Sequence, residues 1–271
     1  MANIWLRVAL VLYGIGLLYI LVALTRTRRV LGSLALHAAY LGVVFHFVGI
    51  AETVNQSGEL SLASLSLAAS ILGFLIMVVF LLVYMVYQTT SPGIVAFPVV
   101  FLLTFVAVSG QEPFVLASSS ARQGWLIAHI SLIFAGYAAL VLSFSASFLY
   151  LIQESMLKAK RATGLLSRLP ALQLTDEIGF RSLLIGFPFT TAGLAIGLML
   201  AQAGFGHIDF QDPKILLSLL TWGVYLILVY SRWSAGWRGR RAAYLGAGVF
   251  AMAVVAWAAN YYSAVHRLAR P

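Results

Sequence analysis

The chain has 271 residues, of which 62% are hydrophobic and 9% are charged, and its mean hydropathy is +0.97. Soluble domains carry roughly 25% charged residues, so this composition excludes a soluble globule and predicts an integral membrane protein. The chain has no cysteine, which excludes disulfides, iron–sulfur clusters and thiolate zinc sites. The net charge is +9. In a polytopic membrane protein an excess of Lys and Arg usually sets the orientation of the chain, so this charge does not indicate a nucleic-acid partner.

Eight hydrophobic runs follow one another along the chain, most of them near the ~20 residues that a helix needs to cross a bilayer. They cover residues 5–25, 31–50, 64–88, 94–109, 125–152, 180–203, 214–231 and 243–263. Such long continuous runs favour helices over the alternating strands of a barrel. We therefore predict an all-α polytopic protein whose residues 1–271 form a single transmembrane domain. The fourth run is the weakest because it is short and contains Pro98.

Lys and Arg concentrate on one side of this arrangement. Eleven of the 17 lie in four loops that face inside if the N-terminus is outside, and Arg181 borders them; the loops are 26–30, 89–93, 153–179 and 232–242. The positive-inside rule then predicts that both termini are outside, and we expect a bacterial cytoplasmic (inner) membrane. The longest inner loop should contain a short amphipathic surface helix that ends before Pro170.

Three further local features carry structural predictions. The outer segments 51–63 and 110–124 are polar, and we expect them to be loops or short helices on the outer face. Pro188 lies inside the sixth run, where a proline removes a backbone donor. It should kink or locally unwind that helix.

The histidines indicate a candidate site, because ionisable residues in membrane segments are costly to bury. Four of the five fall near the predicted outer side, namely His46, His129, His207 and His266. No HExxH or similar zinc spacing is present, and the runs nearly lack the carboxylates of a proton relay. Two imidazoles on separate helices suit axial ligation of haem iron. The pair that we favour is His129 of the fifth run and His266 after the eighth.

A haem site also needs apolar walls and cations for its two propionates. Candidates on the same side are the wall residues Trp125, Phe205, Phe210 and Tyr261 and the cations Arg122 and Lys214. The alternative is that the aromatic residues form the belt found at any bilayer boundary. His37 lies deeper, in the inner half of the second run. It is nine residues from His46, about half a helical revolution around the axis, so the two cannot serve one site from one helix face.

From the fifth run onward the chain resembles the cytochrome c assembly proteins of the CcsA and CcmC group. The matching stretches are WLIAHISLIFAGYAALVLSFSASFLYLIQE at 125–154, GFPFTTAGLAIG at 186–197, DPKILLSLLTWGVYLILVYSR at 212–232, GWRGRRAAYLGAGVF at 236–250 and the N-x₅-H string at 260–266. Residues 111–271 are therefore the expected assembly-like core, and residues 1–110 the divergent part. The resemblance implies that His129 and His266 bind haem b (heme b) non-covalently at the outer leaflet.

The chain also departs from that family. Members that present haem to apocytochrome carry WGxxWxWDPKE between the sixth and seventh spans, where this chain has AGFGHIDFQDPK. Asp212, Pro213 and Lys214 remain but the tryptophans are gone. A second family histidine corresponds to Tyr230 here, and because tyrosinate ligates ferric haem, His37 with Tyr230 is a lesser candidate pair. These departures indicate the HemX-like branch.

We therefore expect haem handling in cytochrome c biogenesis, by an assembly factor and not by a complete synthetase. The expected partners besides the bilayer are a ResB-type assembly protein, apocytochrome c or a haem-synthesis enzyme. The alternative function is a HemX-like regulator or scaffold of haem biosynthesis that transfers no haem. A solute permease is a third class of function. Two observations argue against it: the hydrophobic runs contain almost no charged residues, and the sequence shows no internal repeat.

Overall fold

A computed structural model describes residues 2–25, 29–57, 65–110, 120–160 and 169–259, and these ranges contain no strand. The helices are α1 (Ala2–Thr25), α2 (Arg29–Ser57), α3 (Leu65–Tyr87), α4 (Gly93–Ser109), α5 (Ser120–Lys158), α6 (Leu172–Phe205), α7 (Pro213–Ser234) and α8 (Arg240–Ala258). Seven of them are long and apolar enough to cross a membrane. The predicted all-α polytopic fold is therefore confirmed. With 17 residues, α4 is about 25 Å long, slightly less than the ~30 Å of a hydrocarbon core.

Several helices extend beyond the hydrophobic runs that predict them. The helix α5 begins at Ser120 and ends at Lys158, α6 begins at Leu172, and α2 continues to Ser57. Residues 51–57, 120–124 and 153–158 therefore belong to long helices, and not to separate loops or surface helices. Hydropathy marks only the part of a helix that crosses the hydrocarbon, whereas the backbone ladder continues into polar residues at the bilayer surface. The rest of the predicted surface helix, 161–168, lies outside the described residues.

The buried side chains form two clusters that share α5. The first cluster lies among the four helices α1, α2, α3 and α4, which we call the N-terminal group, and includes Tyr13, Phe80 and Phe97. The second cluster lies among α5, α6, α7 and α8, which we call the C-terminal group, and includes Leu183, Tyr225 and Val249. Helix α5 supplies Ala138, Val141 and Leu142 to the first cluster and Leu140 to the second. It is therefore the central helix of the bundle. The N-terminal group covers one of its faces, and helices α6 to α8 cover the opposite face.

Successive helices of the C-terminal group run antiparallel, so the start of one lies beside the end of the next. His129, early in α5, contacts Gly193, late in α6. Lys214, at the start of α7, contacts Ala256, in the last turn of α8. We call this the His129 end of the bundle. The opposite end, which we call the Arg232 end, brings Arg232 of α7 to Asp176 of α6.

Helices α5 and α6 approach closely along a row of glycines. Gly179, Gly186 and Gly193 follow one another at seven-residue intervals on α6 and face α5. A methyl group at Gly186 would lie 2.7 Å from the β-carbon of Ala139, and one at Gly193 would lie 2.9 Å from Cδ1 of Ile133. Small residues at such intervals let membrane helices pack backbone to backbone. The row therefore holds α6 against the central helix.

Pro188 does not interrupt α6, which is helical from Leu172 to Phe205. Of the two predicted effects, local unwinding is therefore not observed, and the kink stays a prediction. Because proline has no backbone N–H, the carbonyl of residue 184 receives no hydrogen bond from position 188. In membrane helices, side-chain donors commonly bond to the backbone carbonyls around such a proline. The Tyr225 hydroxyl of α7 donates to the Leu183 carbonyl over 2.7 Å, and the Thr190 hydroxyl donates to the Gly186 carbonyl over 2.9 Å. Side chains thus support the backbone around the proline.

A buried ion pair joins α6 to α7 at the Arg232 end. An Arg232 Nη lies 2.9 Å from Asp176 Oδ2, and the two side chains are only 6% and 15% exposed. The backbone N–H of Gly239, just before α8, also donates to Asp176. The guanidinium carbon lies 4.8 Å from the centre of the Phe180 ring. Asp176 belongs to α6 and not to the predicted inner loop, and it lies in the part of that helix that precedes the hydrophobic run 180–203.

Candidate functional site

His129 is the best-oriented of the predicted ligands. It lies in the third turn of α5, is half-buried, and its Nδ1 is 2.7 Å from the Gly193 carbonyl oxygen. A carbonyl only accepts hydrogen bonds, so Nδ1 must carry the proton and donate. In the neutral ring the lone pair is then on Nε2. Among the described residues, no hydrogen bond uses Nε2.

The His129 ring lies against the bare backbone of α6. A methyl group at Gly197 would be 2.5 Å from Cε1 and 2.8 Å from Nδ1 of the ring, which is closer than side-chain atoms approach one another. Gly197 is one helical turn beyond Gly193, so the two glycines face the same side. The ring therefore occupies space that any larger residue at position 197 would fill.

Exposed aromatic side chains accompany His129 at this end of the bundle. Trp125 precedes it by four residues, on the same face of α5, and is 59% exposed. Phe210 lies in the connection between α6 and α7 and is 60% exposed. His207, in the same connection, is also exposed. These side chains provide apolar surface close to the level of the imidazole.

Lys214 has a structural contact in addition to its charge. Asp212 caps α7 by accepting from the backbone N–H groups of Lys214 and Ile215, and Pro213 occupies the first helical position. The Lys214 ammonium donates to the Ala256 carbonyl over 2.9 Å, near the C-terminal end of α8 where cations are favoured. It also lies within electrostatic range of His129. Lys214 thus connects the start of α7 to the end of α8.

The structure places only part of the predicted site. The backbones of Arg122 and Phe205 lie in α5 and α6 at the His129 end, whereas their side chains are outside the described residues. His266 and Tyr261 also lie outside the described residues. One imidazole with an oriented ring, exposed aromatic surface and a nearby ammonium fit the needs of a haem ligand site. Among the described residues, no group of three or more His, Asp or Glu side chains is arranged to hold a metal ion.

His46 lies in the interior of the N-terminal group and is fully buried. Its Nδ1 lies 3.3 Å from the Tyr13 hydroxyl and its Nε2 lies 2.9 Å from Ser70 Oγ. Because α2 continues to Ser57 beyond the hydrophobic run, His46 is about three turns from the helix end. Both ring nitrogens already have partners, and the side chain connects α1, α2 and α3 as a core residue.

His37 and Tyr230 lie on separate parts of the bundle. His37 is exposed on α2 and donates from Nδ1 to the Ser33 carbonyl over 2.7 Å. Tyr230 is 67% exposed on α7. Helix α2 packs on α1 and α3, whereas α7 packs on α6 and α8. The structure therefore does not bring this lesser pair together.

A sequence model of the family described as "Cytochrome C assembly protein" matches residues 29–264. The chain belongs to this family. The match begins in α2, so it includes most of residues 1–110, which the sequence resemblance marks as the divergent part. The same family model thus covers α2, α3 and α4 as well as the core, and α1 precedes the matched residues.

Individual members of the family are similar to this chain at about 30% identity. Protein HemX of Brevibacillus brevis is 30% identical over 142 residues, which cover 52% of this chain and 51% of HemX. The cytochrome c biogenesis protein CcsA of Mesostigma viride is 29% identical over 142 residues, or 45% and 47% of the two chains. CcsA of Chlamydomonas reinhardtii is 31% identical over 138 residues, or 50% and 36%. The chain thus spans about half the length, or less, of these curated relatives.

Sequence reasoning missed three residues that shape the two ends of the bundle. Gly193 and Gly197 hold the His129 ring, and Asp176 pairs with Arg232. The heptad spacing of the α6 glycines was the available signal for close helix packing. No sequence signal showed that an imidazole would occupy the space beside them.

Proposed function

We propose that this protein is a haem-binding factor of cytochrome c biogenesis, which holds haem b non-covalently through His129 and His266 at the outer leaflet. Membership of the cytochrome c assembly family supports haem handling in general. The observation that carries the specific proposal is the His129 ring, whose Nδ1–H is engaged by Gly193. A ligating histidine usually donates its other ring N–H to a carbonyl or carboxylate in this way.

Each group at the His129 end has a distinct task in this proposal. His129 offers its Nε2 lone pair, and His266 supplies the second imidazole. Trp125, Phe205, Phe210 and Tyr261 provide apolar contact, and Arg122 and Lys214 provide positive charge for carboxylates. Haem is the cargo, and the iron porphyrin is what cytochrome c assembly needs. The protein itself orients the His129 imidazole through the Gly193 carbonyl.

The proposed orientation follows from charge. The described Lys and Arg of the C-terminal helices concentrate at the Arg232 end, namely Lys158, Lys160, Arg181, Arg232, Arg238, Arg240 and Arg241. The positive-inside rule puts that end in the cytoplasm and the His129 end outside. We infer a bacterial inner membrane, with a ResB-type protein or apocytochrome c as the partner at the outer face.

Substitution of His129 by Asn tests the proposal. Asparagine keeps an N–H donor near the Nδ1 position but has no counterpart of Nε2, so the contact with Gly193 can persist. We expect the purified variant to remain folded in detergent and to lose most of the Soret absorbance of the wild type. His266→Ala should have the same effect.

His37→Asn is the comparison, because His37 makes a matching bond from Nδ1 to a backbone carbonyl. We expect this variant to keep the Soret band. Loss of the band in His37→Asn and its retention in His129→Asn would move the site to the inner pair and overturn the proposal. A wild-type protein without any Soret band after purification and haem addition would overturn it as well.

A HemX-like regulator or scaffold is the second candidate function. It is favoured by the similarity to HemX and by the connection between α6 and α7, which contains no tryptophan. In this case the basic segment 161–168 on the inner side, and not the outer histidines, would act on a cytoplasmic haem-synthesis enzyme. Replacement of residues 161–168 by Gly and Ser should then change cellular haem synthesis while the Soret band stays intact. His129→Asn serves as the opposite control, because it keeps the segment and removes the ligand.

A further inference from the structure

The surroundings of His129 differ from those of the other described histidines. Its ring is in contact with a turn of α6 formed around two glycines, Gly193 and Gly197, whose intervening residues are Leu194, Ala195 and Ile196. The first glycine contributes a carbonyl acceptor 2.7 Å from Nδ1. The second contributes empty space where a β-carbon would meet the ring. One turn of α6 thus determines both the protonated nitrogen and the plane of the ring.

The Gly193 carbonyl has an intrahelical role as well, since it lies in the middle of α6. A carbonyl oxygen has two lone pairs and can accept a second bond from outside the helix. The imidazole can reach it only because the two helices are close together and position 197 has no side chain. Gly193 itself faces Ile133, one turn after His129 on α5. The observed bond therefore requires both the close approach of the helices at Gly193 and the absence of a side chain at Gly197.

We propose that Gly193 and Gly197 are positioning residues for His129. They hold the neutral imidazole in the form with the proton on Nδ1 and present Nε2 as the ligating nitrogen. This inference rests on the proposed function, because haem iron is the metal that Nε2 would bind. The tautomer and the ring position, however, belong to the haem-free protein and can be measured there.

The first experiment is ¹⁵N NMR of histidine-labelled, haem-free protein in detergent, at a pH where the ring is neutral. The His129 signals are assigned by their loss in His129→Ala. We expect the wild type to carry the proton on Nδ1. A methyl group in Gly197→Ala displaces the ring, so the Nδ1–H signature should be weakened or lost.

Gly204→Ala is the matched control. Gly204 lies two turns further along α6, and a methyl group there would meet nothing within 4 Å. The same substitution in the same helix should leave the His129 signals unchanged. Haem titration of the same proteins is the second readout. We expect Gly197→Ala to weaken haem binding about tenfold to a hundredfold, the range found when the partner of a ligating histidine is lost, and Gly204→Ala to bind as the wild type.

The outcomes separate the two proposals. If His129 carries the proton on Nε2 in the wild type, or if Gly197→Ala changes neither its tautomer nor haem affinity, the positioning inference is overturned while haem binding stands. If the tautomer behaves as expected but the wild type binds no haem, the proposed function is overturned. The wild-type measurement decides the tautomer even if Gly197→Ala does not fold.

Discussion

Asp176→Ala is expected to lower the free energy of unfolding by about 3–5 kcal/mol, the cost of leaving one partner of a buried ion pair alone. Arg232 is 6% exposed and pairs with Asp176 over 2.9 Å. Without the carboxylate, the guanidinium loses its counter-charge. The Gly239 N–H loses an acceptor too. The measurement is denaturant or thermal unfolding of the purified protein in detergent.

Glu177→Ala is the control, one residue along the same helix. Glu177 pairs with Arg181 over 2.7 Å, but these side chains are 41% and 60% exposed. Exposed pairs contribute about 0–1 kcal/mol, so we expect only a small change. The double variant Asp176→Leu with Arg232→Met should recover most of the stability, because apolar replacement of both charges removes the unpaired group. Equal losses in Asp176→Ala and Glu177→Ala would contradict the structural role of the buried pair.

His46→Ala is expected to lower the free energy of unfolding by about 2–4 kcal/mol, through a buried cavity and two unpaired hydroxyls. His46 is fully buried between Tyr13 and Ser70. Gly73 also lies beside the ring, and a methyl group there would be in ordinary van der Waals contact with the imidazole Cε1, at 3.7 Å. Unfolding in detergent measures the stability, and the Soret band measures haem content. We expect the band to remain in the fraction that is folded.

His37→Ala provides the comparison on the same helix. His37 is exposed, and it makes a local hydrogen bond to the Ser33 carbonyl one turn earlier. Substitutions at exposed positions usually change stability by no more than about 0.5 kcal/mol. A similar loss of stability in both variants would show that the interior contacts of His46 contribute little. Loss of the Soret band in fully folded His46→Ala would instead make His46 part of the haem site.

Hydropathy predicted the helices well because membrane insertion is a property of each segment. The fourth run, predicted at 94–109, is observed as Gly93–Ser109. Helix ends were predicted less well, since polar residues such as those of Leu172–Gly179 stay helical without contributing to hydropathy. The same limit hid Asp176, whose charge is tolerated in α6 because Arg232 lies opposite.

The sequence by itself determined that this is a polytopic helical membrane protein of the cytochrome c assembly family, and it singled out His129 by its depth in α5. Only the tertiary structure showed that His46 is enclosed by three helices and that the His129 ring rests on Gly193 and Gly197. The physical reason is that transfer into lipid depends on each residue separately. The direction of a ring nitrogen depends on atoms 64 positions away in the chain, which only helix packing brings together.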